Sequence, residues 1–310
     1  MKLIITIKGM KVALCFIISY QHILNKENIW KQWIEPNKDI IQIYFHYKDI
    51  QFIRSPWIKR HCIPKEFIAQ TSYYHVVPAY ISILSYAFLH DDNKWFCLLT
   101  ESCVPIISPQ EFRRLFFENY YRSIFKWKPA YWNIELHKRA NLKHLNSEYH
   151  LANDPWFTLT RNHVHKCIIF TIKKNDIYQK VCKGGLANES LFAIILQTFK
   201  DLDTDYIINK SSTISDWSRM SNATSPHLFL EGDECDIDFI RTELSKNSYA
   251  LFLRKVDSKF PDDLLLEFIK PKPKKKDNIF EYQSSRFFII NTILFFLWVG
   301  FYLFFYNFYF

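Results

Sequence analysis

The apolar run 94–100, KWFCLLT, breaks into Glu101-Ser102-Cys103, and Pro105 follows two residues on. A core strand that stops in a carboxylate, a hydroxyl and a thiol ends either in a site or in a plain polar turn. The grip on a metal ion there is poor. Mg²⁺ and Mn²⁺ want several oxygen ligands, and one carboxylate beside a soft thiol supplies few. Asp203-Thr204-Asp205 spells Asp-x-Asp, but it follows a helical stretch and precedes a strand, where a solvated loop is expected. The seven cysteines (15, 62, 97, 103, 167, 182, 235) form no C-x-x-C pair and no His/Cys cluster at zinc-ligand spacing. Their odd number leaves at least one thiol unpaired within the chain, and several sit in apolar runs as small core residues.

Strand-like runs that could carry these groups occur at 11–19, 40–46, 94–100, 155–160, 205–209 and 249–255. Helical stretches lie at about 76–90, 109–121, 161–172 and 188–200. The second helix is well marked: Ser108 can cap it, Pro109 suits its first position, and Glu111 completes a capping box. Strands alternating with helices imply an α/β fold with a mainly parallel central sheet covered on both faces. Ligands of such sheets bind beyond the carboxyl ends of the strands. Glu101-Ser102-Cys103 falls at one of those ends.

With 310 residues, 49% of them hydrophobic, the chain can bury one sizeable α/β core. The net charge of +9 is concentrated: five lysines fall in KPKPKKK at 270–276. The remainder shows no basic stripe of the kind that tracks phosphates, which argues against a nucleic-acid partner. The segment 287–310, FFIINTILFFLWVGFYLFFYNFYF, carries no charged side chain and exceeds the roughly 20 apolar residues that cross a bilayer. The expected plan is a globular domain over 1–269, a lysine-rich linker over 270–286 and a transmembrane helix over 287–310 anchoring the chain in the lipid bilayer. No cleavable signal is evident at the N-terminus. Lysines on the N-terminal side of the single span favour a cytosolic globular domain; a domain in the Golgi or ER lumen is the alternative. Asn188-Glu189-Ser190 is a formal glycosylation sequon whose glycan would cover Glu189.

Seven motifs in order resemble those of the Core-2/I-branching β-1,6-N-acetylglucosaminyltransferases, glycosyltransferase family 14, relatives of the peptide O-xylosyltransferases. FCLLTESCVPIISPQEF is similar to the family's LLSESCIPL, and IYFH (43–46) to its IYVH. NDPWFTLTR (153–161) resembles GSQWFxLxR, and ANESLFAIIL (187–196) resembles DEHYLPTxL. STISDWSR (212–219), SPHLF (225–229) and LFLRKV (251–256) are similar to TxVDWSR, HPxxF and LFARKF. The resemblance covers about residues 11–256. It implies a GT-A-like sandwich that binds a UDP-sugar and transfers the sugar, most simply N-acetylglucosamine, to a glycan or protein hydroxyl with inversion and without a metal.

By that resemblance Glu189 is the base that takes the acceptor's proton; on local grounds alone it is an acidic residue in a first helical turn, which the helix dipole favours. Lys255, with Arg254 beside it, falls on the pair whose lysine contacts the diphosphate. Alternation along the strand puts the two on opposite faces, and Lys255 is preferred. Trp217 matches an acceptor-side aromatic, a role its indole suits and a core position would equally explain. Glu101 and Trp156 are weaker acceptor-side assignments. Several positions depart from the family pattern. Asn153-Asp154-Pro155-Trp156 stands in place of GSQW, Lys48 stands where an acidic or neutral residue is common, and the anchor is at the opposite end from the family's usual one. The altered turn leaves a rival reading, an inactive relative that binds glycans or scaffolds partners at a membrane.

Overall fold

The computed structural model describes residues 9–72, 74–220, 222 and 225–271. The apolar segment 287–310, and all of the lysine-rich stretch beyond Pro271, lie outside these residues. No described helix is long and apolar enough to cross a membrane.

In chain order the first half runs β1 (Lys11–Ile17), α1 (Glu27–Ile34), β2 (Ile41–His46), α2 (Pro56–Arg60), α3 (Val77–Phe88), β3 (Asn93–Thr100), β4 (Val104–Pro105) and α4 (Pro109–Asn119). Short strands follow: β5 (Ser123–Ile124), β6 (Trp127–Pro129), β7 (Leu151–Asn153) and β8 (Thr158–Thr160). Helices α5 (Arg161–Lys173), α6 (Asn175–Cys182) and α7 (Leu191–Thr198) come next. The domain closes with β9 (Ile207–Ile208), β10 (Thr213–Ser215), α8 (Glu234–Lys246), β11 (Phe252–Arg254) and α9 (Asp262–Ile269).

The main sheet has the order β2-β1-β3-β8-β5-β9. All of its strands share one direction except β8, which is antiparallel to both neighbours. Strand β1 is central and buried on both faces, as a parallel strand covered by helices should be. Val12, Leu14 and Phe16 face a layer built from α1, α4, α8 and α9, while Ala13 and Cys15 face α3, α5 and α7. A second sheet, β10-β11-β4, joins the first of these layers.

Two local expectations change. The strand expected over 155–160 shortens to β8, with Pro155, which has no N–H to give to a ladder, outside it. The helix expected from 188 starts only at Leu191. Leu186 has φ of 56°, so Ala187–Glu189 forms a separate 3-10 turn, and Ser190 (φ −143°) divides it from the helix. Helix α4 starts as expected, with the Ser108 hydroxyl accepting from the Glu111 N–H at 3.2 Å. All seven cysteines are free thiols, four of them buried.

Candidate active site

The reversal of β8 assembles the site. Because Thr158 pairs with Cys97, the residues before Thr158 stand at the carboxyl end of β3. Asp154, Pro155 and Trp156 therefore share an edge with Glu101-Ser102-Cys103. A second pairing brings the other end of the sequence to the same place: Leu253 of β11 lies opposite Val104 of β4. Arg254 is thereby set beside Ser102, and its Nη1 donates to Ser102 Oγ at 2.7 Å. The guanidinium carbon lies 3.9 Å from the centre of the Trp156 ring, in cation–π contact. Trp156, expected on the acceptor side, is the shelf on which Arg254 rests. The Trp156 indole N–H and Arg254 Nε are buried without a hydrogen-bond partner among the described residues.

The three residues after β3 divide their work. Ser102 anchors Arg254. Cys103 is wholly buried, and burial raises its thiol pKa, with the nearby Arg254 acting the other way. A wholly buried thiol serves as a small packing group. Glu101 is half-buried, its carboxylate has no hydrogen-bond or ion-pair partner among the described residues, and its backbone carbonyl accepts from Asn25 N–H at 3.0 Å. Among the described residues no three His, Cys, Asp or Glu side chains gather closely enough to hold a metal ion. Asp203 and Asp205 are exposed on the turn before β9.

Glu189 closes the 3-10 turn, and three other segments fix it there. From β7, Asn153 Nδ2 donates to the Asn188 carbonyl at 2.9 Å, and Asn153 Oδ1 accepts from Ala193 N–H of α7 at 3.1 Å. The loop before the turn packs on residues 139–141, with Ala140 N–H donating to the Gly185 carbonyl at 2.9 Å. A side chain at Gly184 has no room there, since its Cβ would lie 2.4 Å from Asn141 N. This packing carries Arg139 to the carboxylate: Arg139 Nη1 is 3.4 Å from Glu189 Oε2. The Glu189 side chain is 24% exposed, closed on most sides and open on one. Burial raises its pKa, Arg139 lowers it, and Asp154 raises it.

Tyr80 of α3 is a buried phenol. Its phenol pKa is raised by burial, lowered by Arg254, raised by Cys103, lowered by a hydrogen bond with Asn188 and raised by Glu189.

Trp217 and Lys255 are placed more loosely. Strand β10 is parallel to β11 with Ser215 opposite Arg254, so Trp217 follows at the edge where Lys255 emerges. Trp217 is 50% exposed, which removes the core position as its explanation. The Asp216 and Arg219 side chains beside it are tied to each other at 2.6 Å, and Arg219 also reaches Asp236 at 3.0 Å. The Lys255 ammonium is half-buried and has no hydrogen-bond or ion-pair partner among the described residues. Lys48 donates to the Thr71 carbonyl at 2.6 Å and lies 5.0 Å over the exposed Tyr20 ring, tying the loops after β1 and β2 to residue 71.

Arg139 and Tyr80 were invisible as site residues in the sequence, and Asp154 was noted only as part of an altered turn. Arg139 sits in an unpatterned stretch, and Tyr80 reads as one apolar residue of a helix. Asp154 did carry a signal, as a carboxylate inside a motif where a small residue is usual. A family model described as Core-2/I-Branching enzyme matches residues 14–241. No curated protein matches the chain. The family match stops short of β11, yet the pairing of β11 with β10 and β4 brings Arg254 into the matched region's edge.

Proposed function

From the premise that the chain belongs to the Core-2/I-branching enzyme family and is a glycosyltransferase, we propose that it transfers a sugar, N-acetylglucosamine first among candidates, from its UDP derivative to a glycan or protein hydroxyl, with inversion at the anomeric carbon and without a metal ion. The acceptor oxygen attacks the anomeric carbon as its proton passes to the Glu189 carboxylate. The bond from that carbon to the diphosphate oxygen breaks, and its electron pair leaves with UDP. Arg254 and Lys255 meet the charge that gathers on the diphosphate. Trp217 offers an exposed aromatic face to the acceptor sugar, and Glu101 an acceptor for one of its hydroxyls.

The observation that carries this reading is that one short segment holds both charges: Asn153 fixes the turn that carries the mostly buried Glu189 carboxylate, and Trp156, three residues on, bears the Arg254 guanidinium. A base near a developing alkoxide and a cation near a departing diphosphate are what the reaction needs at opposite sides of one carbon. Metal independence is supported by the donor chemistry, because one carboxylate and a protonated thiol suit neither Mg²⁺ nor Mn²⁺. The altered turn at 153–156, which motivates the rival inactive reading, now supports activity, since Asn153 is the residue that fixes the Glu189 turn.

The test is UDP release by the full-length chain in detergent, in EDTA, over a panel of UDP-sugars. Turnover with one donor is expected, and Glu189→Gln should reduce kcat by about 10²–10⁴-fold. Full activity in that variant, or dependence on added metal, would overturn the mechanism.

A further inference from the structure

We propose that Arg139 and Asp154 are the positioning residues of Glu189: two opposite charges, on separate loops, one paired with its carboxylate and the other adjoining the residue that holds its turn. The inference rests on the reading of Glu189 as the base and adds to it how that base is kept in the right state.

Arg139 is itself held on two sides. Its guanidinium carbon lies 5.1 Å from the centre of the Trp132 ring, and its Nη1 lies 3.4 Å from Glu189 Oε2. Trp132 packs edge-on against Tyr131 at 5.1 Å, and Lys128 Nζ caps Tyr131 at 4.0 Å. The arginine therefore enters the site from a stack of rings and cations, and one oxygen of Glu189 is engaged by it. The other oxygen remains for the acceptor hydroxyl.

Asp154 is equally fixed. Its Oδ2 accepts from Ser211 Oγ at 2.5 Å, and its backbone N–H donates to the Lys126 carbonyl at 3.0 Å. It adjoins Asn153, whose side chain holds the Glu189 turn, so carboxylate and turn move together. The groups that face Glu189 are Arg139 from the loop after β6, Asp154 from the loop before β8 and Tyr80 from α3. Burial raises the pKa of Asp154 itself, while the Ser211 hydrogen bond, Lys126 and Lys128 oppose that rise.

A bare buried carboxylate would stay protonated and could not act as a base, whereas a tightly paired one would be too weak. Arg139 pulls toward the ionised form and Asp154 toward the protonated form, so the two set a balance between those failures.

The readout is the titration of Glu189 in the full-length chain labelled with ¹³C at the glutamate side-chain carboxyl, the resonance being the one lost in Glu189→Gln. Arg139→Gln should move its midpoint up, Asp154→Asn should move it down, and Arg139→Lys should leave it near the wild type. The acid limb of kcat should follow in the same directions. Circular dichroism verifies folding of each variant, and the lysine variant keeps the test alive should Arg139→Gln unfold. Midpoints that stay still, or that move the same way in both charge-removing variants, overturn the proposal. So does a kcat limb that ignores a moving midpoint. A wild type without turnover refutes the role of Glu189 as base, while the titration still reports on the pairing.

Discussion

Arg254 has one nitrogen on Ser102 and its plane over Trp156, so two substitutions that leave the arginine untouched should loosen it. Ser102→Ala removes a hydrogen bond to a charged, part-buried group, at a cost of about 2 kcal/mol. The expected result is a rise of about tenfold in KM for the UDP-sugar with a smaller loss in kcat. Trp156→Phe keeps an aromatic face and should be mild, while Trp156→Ala gives up a cation–π contact of about 1 kcal/mol and should resemble Ser102→Ala. Steady-state kinetics with donor varied at saturating acceptor checks both, and unchanged KM in Ser102→Ala would detach Arg254 from donor binding. The residue scale is also where the sequence was most and least legible. Glu189, Arg254 and Trp156 could be named because each sits in a motif. Arg139 and Tyr80 could not, because what makes them matter is a neighbour from a distant segment: Arg139 has Glu189 at 3.4 Å across 50 residues of chain.

The element that puts Arg139 in place is the loop from α6 to the 3-10 turn, and Gly184 is its tightest point. A Cβ there would meet Asn141 N at 2.4 Å and Ala140 Cα at 2.7 Å, all of it backbone that cannot swing aside. Gly184→Ala should thus push the loop away from residues 139–141 and part Arg139 from Glu189. We expect a loss of about 1–3 kcal/mol in unfolding free energy, with kcat falling further than that stability loss explains. Ser108→Ala is the control: it removes the α4 cap for about 1 kcal/mol and should leave kcat alone. Equal kcat in the two variants at matched stability would show that the loop does not position the site. Six strands were readable from apolar runs and the start of α4 from its cap, but the short strands β4, β5, β6, β7 and β10 were not, and neither was strand direction. The run at 155–160 has the same composition whichever way it lies, and only its pairing with β3 shows that it reverses. That reversal, unread in sequence, is what delivers Asp154 and Trp156 to the site.

At the scale of the whole molecule, two neutral imidazoles built into the core link stability to pH. His46 Nε2 accepts from Ala69 N–H at 3.1 Å. Ser123 Oγ accepts from Thr160 N–H at 2.8 Å, so its own proton points to His163 Nδ1 at 2.6 Å. Each ring uses a lone pair that protonation would remove. Burial, with Lys48 adding to it, lowers the His46 pKa to about 4. Burial lowers that of His163 to about 4, with Asp201 opposing and Lys166 assisting. Both folded values lie below the ordinary 6.5, so between those limits the unfolded chain binds more protons than the folded one. The stability these rings confer is complete above pH 6.5, falls as the pH drops toward 4, and has no further slope below it. A few kcal/mol is at stake over that window, a large part of the net stability of a typical domain. The raised carboxylates of Glu189 and Asp154 work in the opposite sense, so the wild-type slope alone mixes both effects. Comparison with His163→Asn, whose side-chain oxygen can still accept from Ser123, separates them. Urea unfolding at pH 7, 6, 5 and 4 should show a flatter decline in that variant than in the wild type, and flatter again when His46→Gln is added. Parallel curves would mean that these rings are protonated in the folded protein, and the buried Ser123–His163 arrangement would then have to be drawn with a cation at its centre.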